Sequence, residues 1–218
     1  MDPAGFAAAI DAEIEALPDR STQPMREVRK HHSAALRQAD AASVLALARA
    51  LDRLPGRRWI AAELVRYHKG AFSAVTQTDL EAFAEGLDAW ETVDAFGCVL
   101  AGPAWFRGRM GDDLVERWAS SPDLWMRRLA LVCTVGFNRP GAVGPPCTEQ
   151  TLRLCRKLAG DSEDMVEKAV SWALRELLKR DRQAVIDFMS EQGDGLAARV
   201  RREVRNKLAT GLKNPRAG

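Results

Sequence analysis

Apolar side chains recur at helical spacing along almost the whole chain. The segments AASVLALARALDRL (41–54) and WIAAELVRY (59–67) place hydrophobic residues every three or four positions, which is the period of an amphipathic α-helix. Alternation of β-branched and polar residues, which is typical of strands, is nearly absent. Proline and glycine fall mostly between the helical segments and divide the chain into about ten to twelve helices. The sequence therefore predicts an all-α protein.

Three helical segments share a faint common pattern. They are RRWIAAELV (57–65), DLWMRRLALV (123–132) and EDMVEKAVSWAL (163–174). Their offsets fit helical-pair repeats of roughly 33–47 residues, which stack into a curved α-α superhelix. A helix bundle without repeats is the alternative. We expect one domain over 1–218, although the irregular segment FNRPGAVGPPC (137–147) is either a connection or a hinge between two halves.

Composition excludes several classes of protein. The 218 residues are 46% hydrophobic and 28% charged, so the chain can bury a core and is not disordered. Its net charge is only +2, so any affinity for nucleic acid depends on where the basic residues lie. No apolar run approaches the roughly 20 residues of a membrane span, and the N-terminus does not resemble a secretory signal. We expect a cytoplasmic protein with no membrane partner, and the cysteine and histidine spacings predict no metal or cofactor.

The helix WETVDAFGCVLA (90–101) combines an aromatic residue and a carboxylate on one face. Trp90, Asp94, Gly97 and Ala101 form one stripe along this helix. The small residues Gly97 and Ala101 allow either a bulky partner or a neighbouring helix to approach closely. For Trp90 and Asp94 a binding role and a purely structural role are equally compatible with this helix alone.

A second helix carries an arginine among aliphatic residues. Arg128 shares a stripe with Leu124, Leu131 and Val135, and a buried arginine without a partner is strongly destabilising. Arg128 therefore requires an anion, either Asp94 or a bound phosphate. Its neighbour Arg127 projects about 100° away, where a solvated surface charge is the simpler interpretation.

The helix over 162–180 presents two different rows of side chains. Its apolar row consists of Val166, Ala169, Val170, Ala173 and Leu177, and its second row of Met165, Lys168, Trp172, Arg175 and Lys179. A tryptophan flanked by Lys and Arg is typical of a surface that contacts a sugar-phosphate backbone. Lysine and arginine stems covering an ordinary surface tryptophan would give the same pattern. Further basic residues, including Arg201 and Arg202, cluster near the C-terminus.

The motifs WETVD (90–94), SSPDLWMRRLAL (120–131) and EDMVEKAVSWALREL (163–177) together resemble the AlkD-type DNA alkylation-repair glycosylases, a family of HEAT-like repeats. The resemblance is clearest over 55–210. It implies that Trp90, Asp94, Arg128 and Trp172 form the excision site, and that Arg175 and Lys179 grip the DNA backbone. We add Lys168, Arg127, Arg201 and Arg202 as further expected DNA contacts.

The resemblance also implies an activity. It predicts a monomeric DNA N-glycosylase that removes cationic N3- and N7-alkylated purines from duplex DNA without flipping the base and without a cofactor. A non-catalytic HEAT-like scaffold that binds DNA structures or a protein partner is the alternative. The presence of the complete Trp/Asp/Arg/Trp set favours the enzyme, because a scaffold has no need for a carboxylate in a basic groove.

Overall fold

A computed structural model describes residues 2–215, and every regular element in that range is helical. This confirms the predicted all-α class. The chain divides into two compact units, of which unit 1 contains residues 2–86 and 99–111 and unit 2 contains residues 87–98 and 112–215. The expectation of one domain over 1–218 stays a prediction.

Unit 1 is built from short helices that pack in pairs. Its helices are α1 (Pro3–Glu15), α2 (Thr22–Ala35), α3 (Ala41–Asp52), α4 (Arg58–Tyr67), α5 (Lys69–Ala74), α6 (Gln77–Ala84) and α8 (Gly102–Phe106). Helix α3 packs on α1, α4 and α5, and α2 packs on α1 and α4. The core of this unit is aliphatic, with Leu47, Leu51 and Ile60 fully buried.

Unit 2 has two layers of alternate helices. Its helices are α7 (Trp90–Phe96), α9 (Asp112–Ala119), α10 (Leu124–Val135), α11 (Thr148–Lys157), α12 (Asp164–Leu177), α13 (Arg182–Gln192) and α14 (Ala198–Thr210). Helices α10, α12 and α14 pack side by side in one layer, while α9, α11 and α13 cover the other side. This alternation is the packing that helical-pair repeats predict.

Residues 2–215 form fourteen α-helices, slightly more than the ten to twelve that the proline and glycine positions predict. Helix α4 ends at Tyr67 because His68 is extended, and the His68 ring then caps α5 by accepting a hydrogen bond at Nδ1 from the Ala71 amide, at 3.0 Å. Helical structure also continues through Gly102 and Pro103, where a π-helical turn over Gly97–Ala101 joins α7 to α8. Such turns relieve local crowding within a helix and recur at functional sites.

The irregular segment 137–147 lies inside unit 2, so it is not the boundary between the two units. Buried Asn138 fixes it by donating to the Thr151 hydroxyl at 2.9 Å and accepting from the Cys147 amide at 3.1 Å. Arg180 donates to the carbonyl oxygens of Phe137 and Gly144. These contacts make the segment an ordered connection.

No helix within residues 2–215 combines the length and the apolar character that crossing a membrane requires.

Candidate active site

A cleft of about 450 Å³ in unit 2 brings together residues from α7, α10 and α12. Its lining consists of Trp90, Asp94, Arg128, Met165, Lys168, Trp172, Arg175 and Lys213. All four predicted excision-site residues are therefore neighbours, together with two of the expected DNA contacts. The second row of α12 reaches the cleft because its apolar row, Val166 to Leu177, is buried on the opposite side.

Close packing of α7 against α10 positions the carboxylate. A Cβ atom added to Gly97 would lie 2.8 Å from Val132 Cγ1 and 3.1 Å from Leu129 Cδ1, so a larger residue would push the helices apart. Gly97 thus serves helix packing, which is one of the two roles that the sequence allows for the small residues of this stripe. One turn earlier on the same stripe, Asp94 meets Arg128.

Arg128 takes Asp94 as its anion. Its Nε donates to Asp94 Oδ1 at 2.9 Å and its Nη2 donates to Oδ2 at 2.8 Å, which is a bidentate pair. Nη1 donates to the Met165 carbonyl oxygen at 2.6 Å. The Arg128 side chain is 6% exposed and the Asp94 side chain 17%. Each of the three guanidinium nitrogens makes one hydrogen bond inside the protein and the side chain is buried, so Arg128 orients Asp94.

Burial raises the pKa of the Asp94 carboxyl above its ordinary value, and the hydrogen bonds and charge of Arg128 act against that rise. Glu91 raises the Asp94 pKa further through its negative charge, and Arg139 lowers it. Arg128 therefore favours the charged form of a carboxylate that its surroundings would otherwise neutralise. The cleft thus holds a fixed, partly desolvated carboxylate, and two indole rings line the same cleft.

The two tryptophans differ in their surroundings. Trp90 is the first residue of α7 and is 49% exposed, so its indole is available to a ligand. Trp172 is half-buried in the middle of α12. The Arg139 guanidinium lies 5.8 Å from the centre of the Trp172 ring, a distance at which a cation interacts favourably with an indole.

The basic residues of the cleft are largely paired with acidic groups. Lys168 Nζ lies 2.6 Å from Asp164 Oδ2. Arg175 Nε donates to the Ser171 hydroxyl at 3.1 Å and lies 3.8 Å from Glu203 Oε2, and burial lowers the Arg175 pKa. The net positive charge of the cleft is therefore smaller than its count of lysines and arginines suggests.

The family model described as DNA alkylation repair enzyme matches residues 20–208. The chain belongs to the DNA alkylation repair enzyme family. A comparison with curated proteins finds no match. The matched range begins well before residue 55, so the family pattern extends into N-terminal helices that the motifs leave unassigned.

Four of the expected DNA contacts lie outside the cleft lining. Arg127 binds Asp161, with 2.6 Å between Nε and Oδ2, and donates to the Ser121 and Pro122 carbonyl oxygens. The others are Lys179, which pairs with Glu176, Arg201, which pairs with Asp194, and Arg202, which is exposed. A phosphate would compete with these partners for the first three residues, and their DNA contacts stay predictions.

Three residues at the site were not predicted from the sequence. Lys213 lines the cleft and its Nζ lies 3.4 Å from Glu203 Oε1. Glu203 is buried and also accepts a hydrogen bond from the Ser171 hydroxyl at 2.6 Å. Arg139 comes from the irregular segment, where no periodicity indicates which side chains face the cleft. Of these three residues, Glu203 alone is indicated by the sequence. It falls on the apolar row of α14 with Val200 and Val204, and a buried carboxylate requires polar partners.

Proposed function

We propose that this protein is a DNA N-glycosylase that hydrolyses the N-glycosidic bond of cationic N3- and N7-alkylated purines in duplex DNA, acting as a monomer without flipping the base. The observation that carries the proposal is the bidentate pair of Arg128 and Asp94 in a cleft that Trp90 and Trp172 also line. A fixed, partly buried carboxylate in a cleft with aromatic rings suits a reaction that develops positive charge on a sugar.

Alkylation at N3 or N7 makes the purine a cationic leaving group. When the bond between C1′ and the base nitrogen breaks, its electron pair neutralises the base, and the positive charge passes to an oxocarbenium-like deoxyribose. Asp94 stabilises that charge and orients the water that adds to C1′. The water transfers one proton to the solvent, and the products are an abasic site and a neutral alkylated base.

The tryptophans and the basic row have separate roles in this proposal. The indole faces of Trp90 and Trp172 hold the deoxyribose and favour its developing cation through their quadrupoles. Lys168, Arg175 and Lys179 contact backbone phosphates, with Arg127, Arg201 and Arg202 as additional contacts. A cation that is already paired with a carboxylate exchanges that partner for a DNA phosphate, so the number of ion pairs does not change. Such contacts position the DNA more than they add to its affinity.

The proposal predicts a clear choice of substrate. The protein is expected to release 7-methylguanine and 3-methyladenine from duplex DNA and to leave uracil and ethenoadenine in place, because only the cationic bases leave readily. Single-turnover assays with each lesion in the same duplex context, corrected for spontaneous depurination, measure this difference. The Asp94→Asn variant, purified identically, controls for a contaminating glycosylase.

Two outcomes of that assay contradict the proposal. Release of uracil at a rate comparable to that of 7-methylguanine would require a pocket that reads a flipped base. Binding of the duplex without release of any lesion would favour the non-catalytic scaffold.

The excision rate is expected to fall at low pH. Asp94 acts as a carboxylate, and burial raises its pKa above the ordinary value for aspartate, about 3.9. Activity is therefore present above this raised pKa and lost as the pH falls through it. Single-turnover rates between about pH 4 and 8, corrected at each pH for acid-catalysed depurination, measure the midpoint. A rate that stays constant down to the ordinary aspartate range would argue against an Asp94 carboxylate in the rate-limiting step.

A further inference from the structure

Unit 1 contains a basic cavity that has no part in the cleft. It has a volume of about 270 Å³ and lies where the C-terminal half of α2 meets the junction of α4 and α5. Its lining includes Arg29, Lys30, Ser33, Arg37, Tyr67 and Lys69. Four of these six residues are cations, the other two carry hydroxyl groups, and no carboxylate lines the cavity. This composition suits an oxyanion ligand.

The buried part of the cavity carries an excess of positive charge. Arg29 Nε donates to Glu63 Oε2 at 2.7 Å, and Arg26 donates to the other oxygen of the same carboxylate at 3.0 Å. Two guanidinium groups therefore share one buried carboxylate. Arg29 Nη1 also lies 3.4 Å from the Ser33 hydroxyl oxygen. Because Glu63 cannot neutralise both arginines, a net positive charge remains beside the cavity.

The outer part of the cavity holds cations that are available to a ligand. Arg37 and Lys69 are both exposed, and neither forms a hydrogen bond or ion pair with a side chain within residues 2–215. In the cleft, by contrast, Lys168 is paired with Asp164 and Lys213 with Glu203. A phosphate can bind Arg37 and Lys69 without displacing a carboxylate, so each contact yields its full electrostatic gain.

An exposed aromatic ring lines the same cavity as these cations. Tyr67 is 58% exposed, and the Arg29 and Arg66 guanidinium carbons lie 4.8 and 5.9 Å from the centre of its ring. A small free phosphate would use only the cations, whereas a nucleic-acid strand offers phosphates to the cations and a sugar to the ring. Surface cations that share a cavity with an exposed ring therefore favour a polyanion over a single small anion.

We propose that this cavity, which we call the α2–α5 site, binds backbone phosphates of duplex DNA through Arg37 and Lys69. The choice of ligand rests on the proposed function, which makes DNA the substrate. The α2–α5 site supplies affinity for any sequence, while the paired residues of the cleft supply the chemistry. Binding at this site is electrostatic, so it weakens steeply as salt concentration rises.

Affinity for an unmodified duplex, measured as a function of salt concentration, tests the α2–α5 site. The double variant Arg37→Met/Lys69→Met is expected to make the plot of log K against log salt less steep by about 1.8, since each lost phosphate contact removes about 0.9. Affinity at about 50 mM salt should fall at least fivefold. The control is Arg109→Met, which removes an exposed cation of unit 1 that does not line the cavity.

The outcomes separate this inference from the proposed function. The α2–α5 site is overturned if the double variant keeps the wild-type slope of log K against log salt. It is also overturned if the slope falls by no more per removed charge than in Arg109→Met. Either result stands even if the wild type excises 7-methylguanine. A reduced slope specific to the double variant supports the site even if the wild type excises nothing, because the unmodified duplex is not a substrate. Wild-type protein that fails to bind duplex DNA overturns both.

Discussion

Asp94→Asn is expected to lower the single-turnover rate of 7-methylguanine excision by at least about tenfold, which corresponds to about 1.4 kcal/mol of transition-state stabilisation. The asparagine keeps the shape of the side chain and an acceptor for Arg128, but it loses the negative charge that opposes the developing sugar cation. Binding to duplex DNA should be unchanged or stronger, because a negative charge facing the DNA is removed. Rates at saturating protein separate this loss of chemistry from any change in affinity.

The chain offers a matched control for this substitution. Asp161 forms an ion pair with Arg127, which precedes Arg128 on α10, and the Asp161 side chain is 9% exposed. Asp161 does not line the cleft. Asp161→Asn should therefore perturb a similar ion pair while retaining excision. Equal losses in the two variants would mean that a broken ion pair explains the effect, and wild-type activity in Asp94→Asn would remove Asp94 from the mechanism.

Arg128→Met is expected to destabilise the protein by about 3–5 kcal/mol, the range for removing one partner of a buried ion pair. The substitution removes both hydrogen bonds to Asp94 and the one to the Met165 carbonyl. It leaves a buried carboxylate without a counter-ion, which is the main cost. Denaturant unfolding monitored by circular dichroism measures the loss.

A double-mutant cycle identifies the source of that loss. Asp94→Asn/Arg128→Met should be more stable than Arg128→Met alone, because the second substitution removes the uncompensated charge. Arg128 holds the Asp94 pKa down. As the pH is lowered, any residual excision by Arg128→Met should therefore be lost at a higher pH than excision by the wild type. A loss in Arg128→Met below about 1 kcal/mol, the ceiling for exposed pairs, would show that the pair is effectively solvated.

The α12 helix shows how much of the site local sequence can predict. Its apolar row is buried and its second row faces the cleft from Met165 to Arg175, as the helical period alone predicts. Lys179 continues the same row but lies outside the cleft lining, because α12 ends at Leu177. The end of a helix depends on local capping and packing, which a periodic pattern describes poorly.

Sequence alone determined that this chain is helical, that α12 has a basic row with Trp172 in it, and that Arg128 requires an anion. These follow from the 3.6-residue period and from the cost of burying a lone charge. Only the tertiary structure decided that the anion is Asp94, since the close approach at Gly97 joins helices that are distant in the chain. It also decided which cations are neutralised and which, such as Arg37 and Lys69, remain available, because pairing between charges depends on distances in space that no spacing along the chain encodes.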